Sequence, residues 1–279
     1  MISIIIPIFN RPQTILETVF SILQQDYQHW ECLIVDDCSN DGLTYAAISS
    51  LAEQDLRINI FQRPDDLLKG PNSCRNYGFE KSKGTFIYFL DSDDVLLPNA
   101  LSNYLNAFNN DIDVVVAPLI KSDAKSGDFI KTNNIQSEQL IEDYFTGAVS
   151  FYVCGPMWRR TFLIQQSELF DPEIRNLDDW DFNLRMLYVQ PRLVYLKEPT
   201  VNYRQHPHSL KREISKNNLV EIKSAYRARL KHLQIISRLF PEDYSRYCIH
   251  VTLFYQKTLL HSLINGYHWK SYYYEAIRL

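Results

Sequence analysis

No apolar run in this chain reaches the roughly 20 residues that a membrane-spanning helix needs. The opening residues Met1-Ile2-Ser3-Ile4-Ile5-Ile6-Pro7 carry neither a basic leader nor a small-residue cleavage site, so export is not expected. Cysteines are few and unpaired in pattern. Cys32, Cys38, Cys74, Cys154 and Cys248 are odd in number, scattered, and form no Cys-x-x-Cys pair, which argues against a disulfide framework and a structural zinc site and suits a reducing cytoplasm. Low-complexity segments and internal repeats are also missing. The turn Phe9-Asn10-Arg11-Pro12-Gln13 contains no glycine, so it does not resemble a Gly-rich loop that cradles a triphosphate.

What is present is ample apolar material, 46% of 279 residues, enough for a buried core in a soluble globular protein. The net charge of −4 is unevenly spread: residues 210–279 carry a surplus of +7 and residues 1–209 carry −11. The two parts are built for different surroundings. We therefore expect a catalytic domain over 1–209 and a basic helical extension over 210–279. Nucleic acid is not an expected partner.

Short β-branched runs alternate with helical spacing through the first 120 residues. Strands are expected at Ser3–Ile6, Cys32–Val35, Ile58–Phe61, Phe86–Leu90 and Val114–Leu119, with helices following the first three and another over Asn99–Phe108. That rhythm predicts an α/β fold: a Rossmann-like, mainly parallel sheet flanked by helices. Beyond 120 the reading is a polar loop over Lys121–Asn134, helices over Ser137–Thr146 and Asp178–Tyr188, and short strands at Leu193–Leu196 and Thr200–Tyr203. Leu219, Ile222, Tyr226, Leu230, Leu233 and Ile236 keep three- and four-residue spacing, an amphipathic helix, and a further helix is expected from Pro241 to about Asn265.

The densest chemical signal is Tyr88-Phe89-Leu90-Asp91-Ser92-Asp93-Asp94, where an apolar strand runs into three carboxylates. In extended backbone, Asp91 and Asp93 would leave the same face. Hard oxygen donors so arranged suit Mg²⁺ or Mn²⁺, ions that keep waters and share themselves with substrate phosphates. In open parallel sheets, ligands bind beyond the carboxyl ends of the strands. Pro7, Asp36, Asp37, Asp91, Asp93 and Asp94 all fall at such ends.

Four ordered phrases resemble the family 2 glycosyltransferases, inverting enzymes with the nucleotide-binding fold called GT-A. They are Ser3-Ile4-Ile5-Ile6-Pro7-Ile8-Phe9-Asn10, Leu33-Ile34-Val35-Asp36-Asp37, Gly70-Pro71-Asn72-Ser73-Cys74-Arg75-Asn76-Tyr77-Gly78 and Phe89-Leu90-Asp91-Ser92-Asp93-Asp94. The resemblance implies a nucleotide-diphosphate sugar as donor, a UDP-sugar first among them, bound by Pro7, Phe9, Asp37, Arg75, Asp91, Ser92 and Asp94. It implies Mn²⁺ or Mg²⁺ on Asp93, with Asp91 and His206 close by. Asp179, in Asp178-Asp179-Trp180-Asp181, matches the base that takes the proton of the acceptor hydroxyl. Asp178 stands where many relatives have Glu. Trp158, Asp178 and Trp180 fall on the acceptor side, beside Arg159.

The acceptor implied is a hydroxyl of a glycan or a lipid-linked sugar in surface polysaccharide synthesis. Two other readings stand beside this one, a Mg²⁺-dependent sugar nucleotidyltransferase and a catalytically inactive sugar-binding protein. Lys223, Arg227, Arg229, Lys231 and Arg238, with Tyr267, Trp269, Tyr272, Tyr273 and Tyr274 further on, suit either an anionic membrane surface or a helical dimer contact. The expected location is cytoplasmic, at most peripheral on the inner face of the cell membrane.

Overall fold

The computed structural model describes residues 1–205 and 218–264. The chain separates into two compact units, one of residues 1–173 with 178–206, the other of residues 174–177 with 207–279. The expected boundary between 209 and 210 falls outside the described residues.

In the first unit the helices and strands are β1 (Ile2–Ile8), α1 (Thr14–Leu23), β2 (Trp30–Asp36), α2 (Thr44–Gln54), β3 (Ile58–Gln62), α3 (Pro71–Lys81), β4 (Phe86–Phe89), β5 (Val95–Leu96), α4 (Ala100–Ala107), β6 (Val114–Val116), β7 (Leu119–Asp123), β8 (Phe129–Thr132), α5 (Leu140–Thr146), β9 (Pro156–Arg159), α6 (Arg160–Leu163), α7 (Asp178–Tyr188), β10 (Leu193–Tyr195) and β11 (Val201–Gln205). A seven-stranded sheet runs in the order β10-β6-β9-β4-β1-β2-β3. It is parallel except for β9, which pairs antiparallel with both β4 and β6. A second sheet, β5-β11-β7-β8, stands at the end of the first domain's acidic loop.

β1 reads as a continuous apolar run because it lies between β2 and β4 and is buried along its whole length. Its one hydroxyl is satisfied internally: Ser3 Oγ donates to Glu31 Oε1 at 2.6 Å and accepts from the Gly84 N–H at 2.7 Å. Helix α3 presses onto the sheet at Gly78, where a Cβ would come within 2.5 Å of Ile5 Cγ2. That close approach sets the depth at which α3 carries Arg75.

Pro7 sits in a central strand, a position proline usually avoids because it has no N–H for the ladder. The pairing with β4 stops at Ile5↔Phe89, and Leu90 N–H donates to Ile5 O at 3.0 Å. Ile5 and Pro7 present their backbone groups to the same side, so the missing N–H faces ground that β4 has already left. Asp91 to Asp94 then form a turn, closed by Asp94 N–H on Asp91 O at 3.2 Å. This corrects the extended reading: with no ladder partner beyond Phe89, Asp91 and Asp93 do not share a strand face.

Three further differences trace to non-local pairing. Val114–Leu119 is not one strand: β6 ends before Pro118 and β7 begins in the other sheet. The polar stretch expected as a loop forms β7 and β8, joined by a turn in which Asp123 Oδ1 accepts from the Lys125 and Ser126 N–H groups. β9, four residues long, had no periodicity to reveal it.

In the second unit, α8 (Leu219–Leu239) and α9 (Tyr244–Ile264) pack through Ile222, Ala225, Leu233, Tyr247, Val251 and Tyr255. Tyr226 and Tyr255 meet edge to face at 4.8 Å. Asn218 caps α8 by accepting from the Val220 N–H at 3.1 Å. The segment 174–177 joins this unit, Ser224 Oγ accepting from the Arg175 and Asn176 N–H groups. Lys223, Arg227 and Arg238 are exposed, but Arg229 is not part of a solvated basic face. Its guanidinium lies 3.8 Å from the centre of the Phe254 ring and donates to Ala225 O, and burial lowers its pKa. The five aromatic residues Tyr267 to Tyr274 lie outside the described residues. Among the described residues no helix is long and apolar enough to cross a membrane.

Candidate active site at the carboxyl edge of the sheet

β1 and β2 end side by side, with Ile8 paired to Asp36 and the Asp37 N–H donating to Ile8 O at 2.8 Å. The turns that follow are stapled together. Asn10 and Cys38 both take left-handed backbone, φ 51° and 58°, a strained choice for cysteine. Asn10 Nδ2 donates to Asn40 Oδ1 at 2.8 Å, and Asn40 N–H returns a bond to Asn10 Oδ1 at 2.9 Å. Asp36 is spent on its own turn, accepting from Ser39 N–H and Oγ.

Asp37 is different. It is buried and paired with Arg63, Nε to Oδ1 at 2.5 Å, while Arg63 also donates to Pro64 O at 2.7 Å and Leu67 O at 2.5 Å. The Asp37 hydrogen bond is the main influence raising the Arg63 pKa. Phe9 stands beside this pair at the end of β1, partly exposed, with Lys69 Nζ 3.8 Å from its ring centre. Pro7, Phe9 and Asp37 thus share one end of adjacent strands, with a ring face, a carboxylate and a backbone edge on offer.

Arg75 occupies the middle of the site. Only 4% exposed, it donates from one amino group to Asp91 Oδ1 at 2.7 Å and from the other to Asp178 Oδ2 at 2.7 Å and Asn72 Oδ1 at 2.9 Å. Its guanidinium carbon lies 5.2 Å from the Phe170 ring centre. Burial works against the charge, but the Asp91 and Asp178 carboxylates outweigh it and raise the Arg75 pKa further. The acidic turn after β4 and the head of α7 are therefore held by one cation.

The other two carboxylates of the turn face other arginines. Asp93 pairs with Arg11, and Arg204 Nε donates to the Asp93 carbonyl at 2.5 Å. Asp94 is 1% exposed. Its Oδ1 accepts from the Arg204 N–H at 3.3 Å, while Oδ2 has no hydrogen-bond partner among the described residues. Burial, then Asp93 and Asp91, push its pKa well above the usual carboxylate range, against smaller help from the Arg204 N–H and the Cys154 thiol. Thr18 Oγ1 bonds the Asp94 carbonyl at 2.7 Å and ties the turn to α1. Ser92 is buried within it.

These residues suit a shared divalent ion rather than a protein cage. Among the described residues no three His, Cys, Asp or Glu side chains form a ready metal cluster. One or two carboxylates, completed by phosphate oxygens and water, are the usual arrangement for Mg²⁺. The unpartnered Asp94 oxygen and the crowded Asp91 and Asp93 charges fit a cation arriving with a ligand. His206 lies outside the described residues.

Asp179 is the second residue of α7, with Trp180 N–H donating to its Oδ1 at 2.8 Å. Burial first, and the Asp178 charge second, raise its pKa to about 7, with Asp91 adding to the rise and Arg75 opposing it. A carboxylate poised there is a competent general base. The expected acceptor residues are less available. Trp158 is a core residue on β9, stacked on Phe162 at 5.6 Å and 1% exposed, so it offers no surface to an acceptor. Arg159 is committed to the Ile112 and Asn109 carbonyls. Trp180 donates from Nε1 to Tyr144 O at 3.0 Å and packs its ring on Phe145, which favours anchoring α7 over stacking on a sugar.

Several charged residues around the candidate site went unread in the sequence. Arg11, Arg63, Arg204 and Lys121 all neutralise or face the acidic site from loops or short strands. The one signal available was the excess of carboxylates itself, which demands buried cations from somewhere. Lys121, on β7, is buried beneath Tyr152 and Tyr203. Burial first, then the Lys131 charge, lower its pKa.

Residues 3–167 match the family described as Glycosyl transferase family 2. A UDP-Glc:alpha-D-GlcNAc-diphosphoundecaprenol beta-1,3-glucosyltransferase, WfgD, of Escherichia coli is 29% identical over 153 residues, 54% of this chain and 58% of that protein. Among solved structures, S. aureus TarS 1-349 in complex with UDP-GlcNAc superposes with a TM-score of 0.62 at 16% identity, covering 93% of this chain and 81% of the TarS 1-349 chain. The mannosyltransferase PcManGT of Pyrobaculum calidifontis, in complex with GDP-Man and Mn2+, gives 0.62 at 13%, covering 94% and 75%. The chain spans only 62%, 41% and 29% of the first three curated relatives it matches.

Proposed function

Since this chain belongs to glycosyl transferase family 2 and has the GT-A type of fold, we propose that it moves a sugar from a nucleotide-diphosphate donor to a hydroxyl of a glycan or lipid-linked acceptor, with inversion at the anomeric carbon. The observation that carries this reading is the Arg75 bridge. It ties the acidic turn, which with a divalent ion would take a diphosphate, to the head of α7, which carries Asp179, the base in this reading. UDP is the nucleotide we favour, because the paired Asp37 carboxylate can accept from an imide N–H beside the Phe9 ring.

Asp93, with Asp91, would hold Mg²⁺ or Mn²⁺, which when bound supplies Lewis-acid neutralisation of the departing diphosphate. Asp179 takes the proton of the acceptor hydroxyl as that oxygen bonds to the anomeric carbon. The bond from that carbon to the diphosphate oxygen breaks, and its electron pair leaves with the nucleoside diphosphate. Burial and the neighbouring Asp178 and Asp91 charges raise the Asp179 pKa to about 7, and Arg75, bonded to both neighbours, opposes that rise. An α-linked donor would then yield a β-linked product.

The exposed Lys223, Arg227 and Arg238 on α8 support a further part of this reading, attraction to the anionic inner leaflet where a lipid-linked acceptor resides. Salt-insensitive failure to float with anionic liposomes would remove it.

The central experiment offers UDP-, GDP- and dTDP-sugars with Mn²⁺ and undecaprenyl-diphosphate-linked or free sugar acceptors, and reads product anomeric configuration by NMR. Transfer with inversion that disappears in Asp179→Asn is expected. Retention of configuration, or undiminished transfer by that variant, would overturn the mechanism.

A further inference from the structure

Lys121 has no task in the reaction above, yet its position is costly. It is 5% exposed, and a buried ammonium is ordinarily paired with a carboxylate. Here it meets the Tyr152 hydroxyl and the ring faces of Tyr152 and Tyr203, 4.3 and 5.3 Å from their centres, and among the described residues no carboxylate lies at ion-pair distance. Its cross-strand neighbour on β8 is another cation, Lys131. Tyr152 itself takes left-handed backbone, φ 56°, a strain that persists only where the surroundings demand it.

Two ties aim this lysine at the centre of the site. On one side Tyr203 pairs with Lys121 across β7 and β11, and the next residue, Arg204, gives its N–H to Asp94. On the other side the Tyr152 carbonyl accepts from Asn183 Nδ2 at 3.0 Å, one turn along α7 from Asp179. The carboxylates whose charge reaches Lys121 are those two, Asp179 and Asp94. A buried cation donor and a buried unpartnered acceptor oxygen, Asp94 Oδ2, thus lie around the span between the diphosphate turn and the base. In the reading above, that span is occupied by the transferred sugar, whose hydroxyls need both kinds of partner.

We propose that Lys121 reads the transferred sugar, donating a hydrogen bond to one of its ring hydroxyls while Tyr152 and Tyr203 hold the ammonium in place. Lys121 belongs to the sugar half of the donor site and not to the nucleotide half, which is built from Phe9, Asp37 and Arg63 on the other side of β1. The inference rests on the donor-site reading given above.

The test separates the two halves by titration calorimetry on the full chain with Mn²⁺, using UDP, UDP-glucose and UDP-N-acetylglucosamine. Lys121→Met should bind UDP as the parent does but bind the preferred UDP-sugar about 10- to 100-fold more weakly, the loss of one hydrogen bond from a charged donor. Lys121→Gln, which keeps a donor and removes the charge, should fall between them and serves if the Met variant does not fold. Equal UDP-sugar affinity in parent and either folded variant would overturn the role of Lys121. If the parent binds neither UDP nor UDP-sugars, the UDP donor site fails, and the inference with it, before any variant is compared.

Discussion

Arg75 and Asp178 are 103 positions apart in the chain and 2.7 Å apart in space. With its other amino group on Asp91, Arg75 makes the acidic turn after β4 and the head of α7 a single electrostatic unit.

Arg75→Met would leave Asp91 and Asp178 facing each other without their cation. Breaking a buried charge pair typically costs about 3–5 kcal/mol, and the partial exposure of Asp91 reduces that, so a loss of about 2–4 kcal/mol in urea melts is expected. Arg75→Lys should recover little of it, since one ammonium cannot fork to both carboxylates. A melt unchanged by either substitution would contradict the bridge.

If Asp179 is the base proposed above, it sets an acid limb. With its pKa raised to about 7, kcat should fall about tenfold per pH unit below neutrality, and Asp179→Asn should lower kcat by about 10²–10⁴ at pH 8. A carboxyl whose pKa is raised on folding holds its proton more tightly in the folded chain. Its ionisation therefore opposes folding above about pH 7, and the penalty is absent below the unfolded value of 3.8. Asp179→Asn should melt a few degrees higher than the parent at pH 8 and no higher at pH 3.5.

Asp93→Asn removes the carboxylate proposed to hold a divalent ion and also frees Arg11. Mn²⁺ bound in the presence of UDP, read by electron paramagnetic resonance, should weaken at least tenfold, and EDTA should abolish transfer by the parent. Activity that survives EDTA would remove the metal from the mechanism.

Asp37→Asn should weaken UDP binding about tenfold, by converting a charged acceptor into a neutral one. Arg63→Leu should do the same indirectly, because the carboxylate then loses the partner that orients it at 2.5 Å. Both effects are read by calorimetry with UDP alone. Undiminished affinity in both would move the base pocket elsewhere.

Local pattern carried the parallel half of the fold. β1, β2 and β3 are short apolar runs followed by helical spacing, β4 is an aromatic run that leads into the acidic turn, and the phrases at Pro7, Asp37, Arg75 and Asp91 lie at or beyond strand carboxyl ends, so both the α/β class and the acidic edge were readable from residue order alone. Tertiary structure decided the rest. Nothing local announces that Pro156–Arg159 inserts antiparallel between β4 and β6, that Lys121 and Ser122 are buried in a second sheet, or that Trp158 is core. Periodicity reports how a segment treats its own two faces, whereas strand partners, burial of polar groups and the choice of counter-cation depend on residues distant in sequence. The carboxylates could be read directly; Arg11, Arg63, Arg204 and Lys121, which keep that charge tolerable, became visible only once the chain had folded around them.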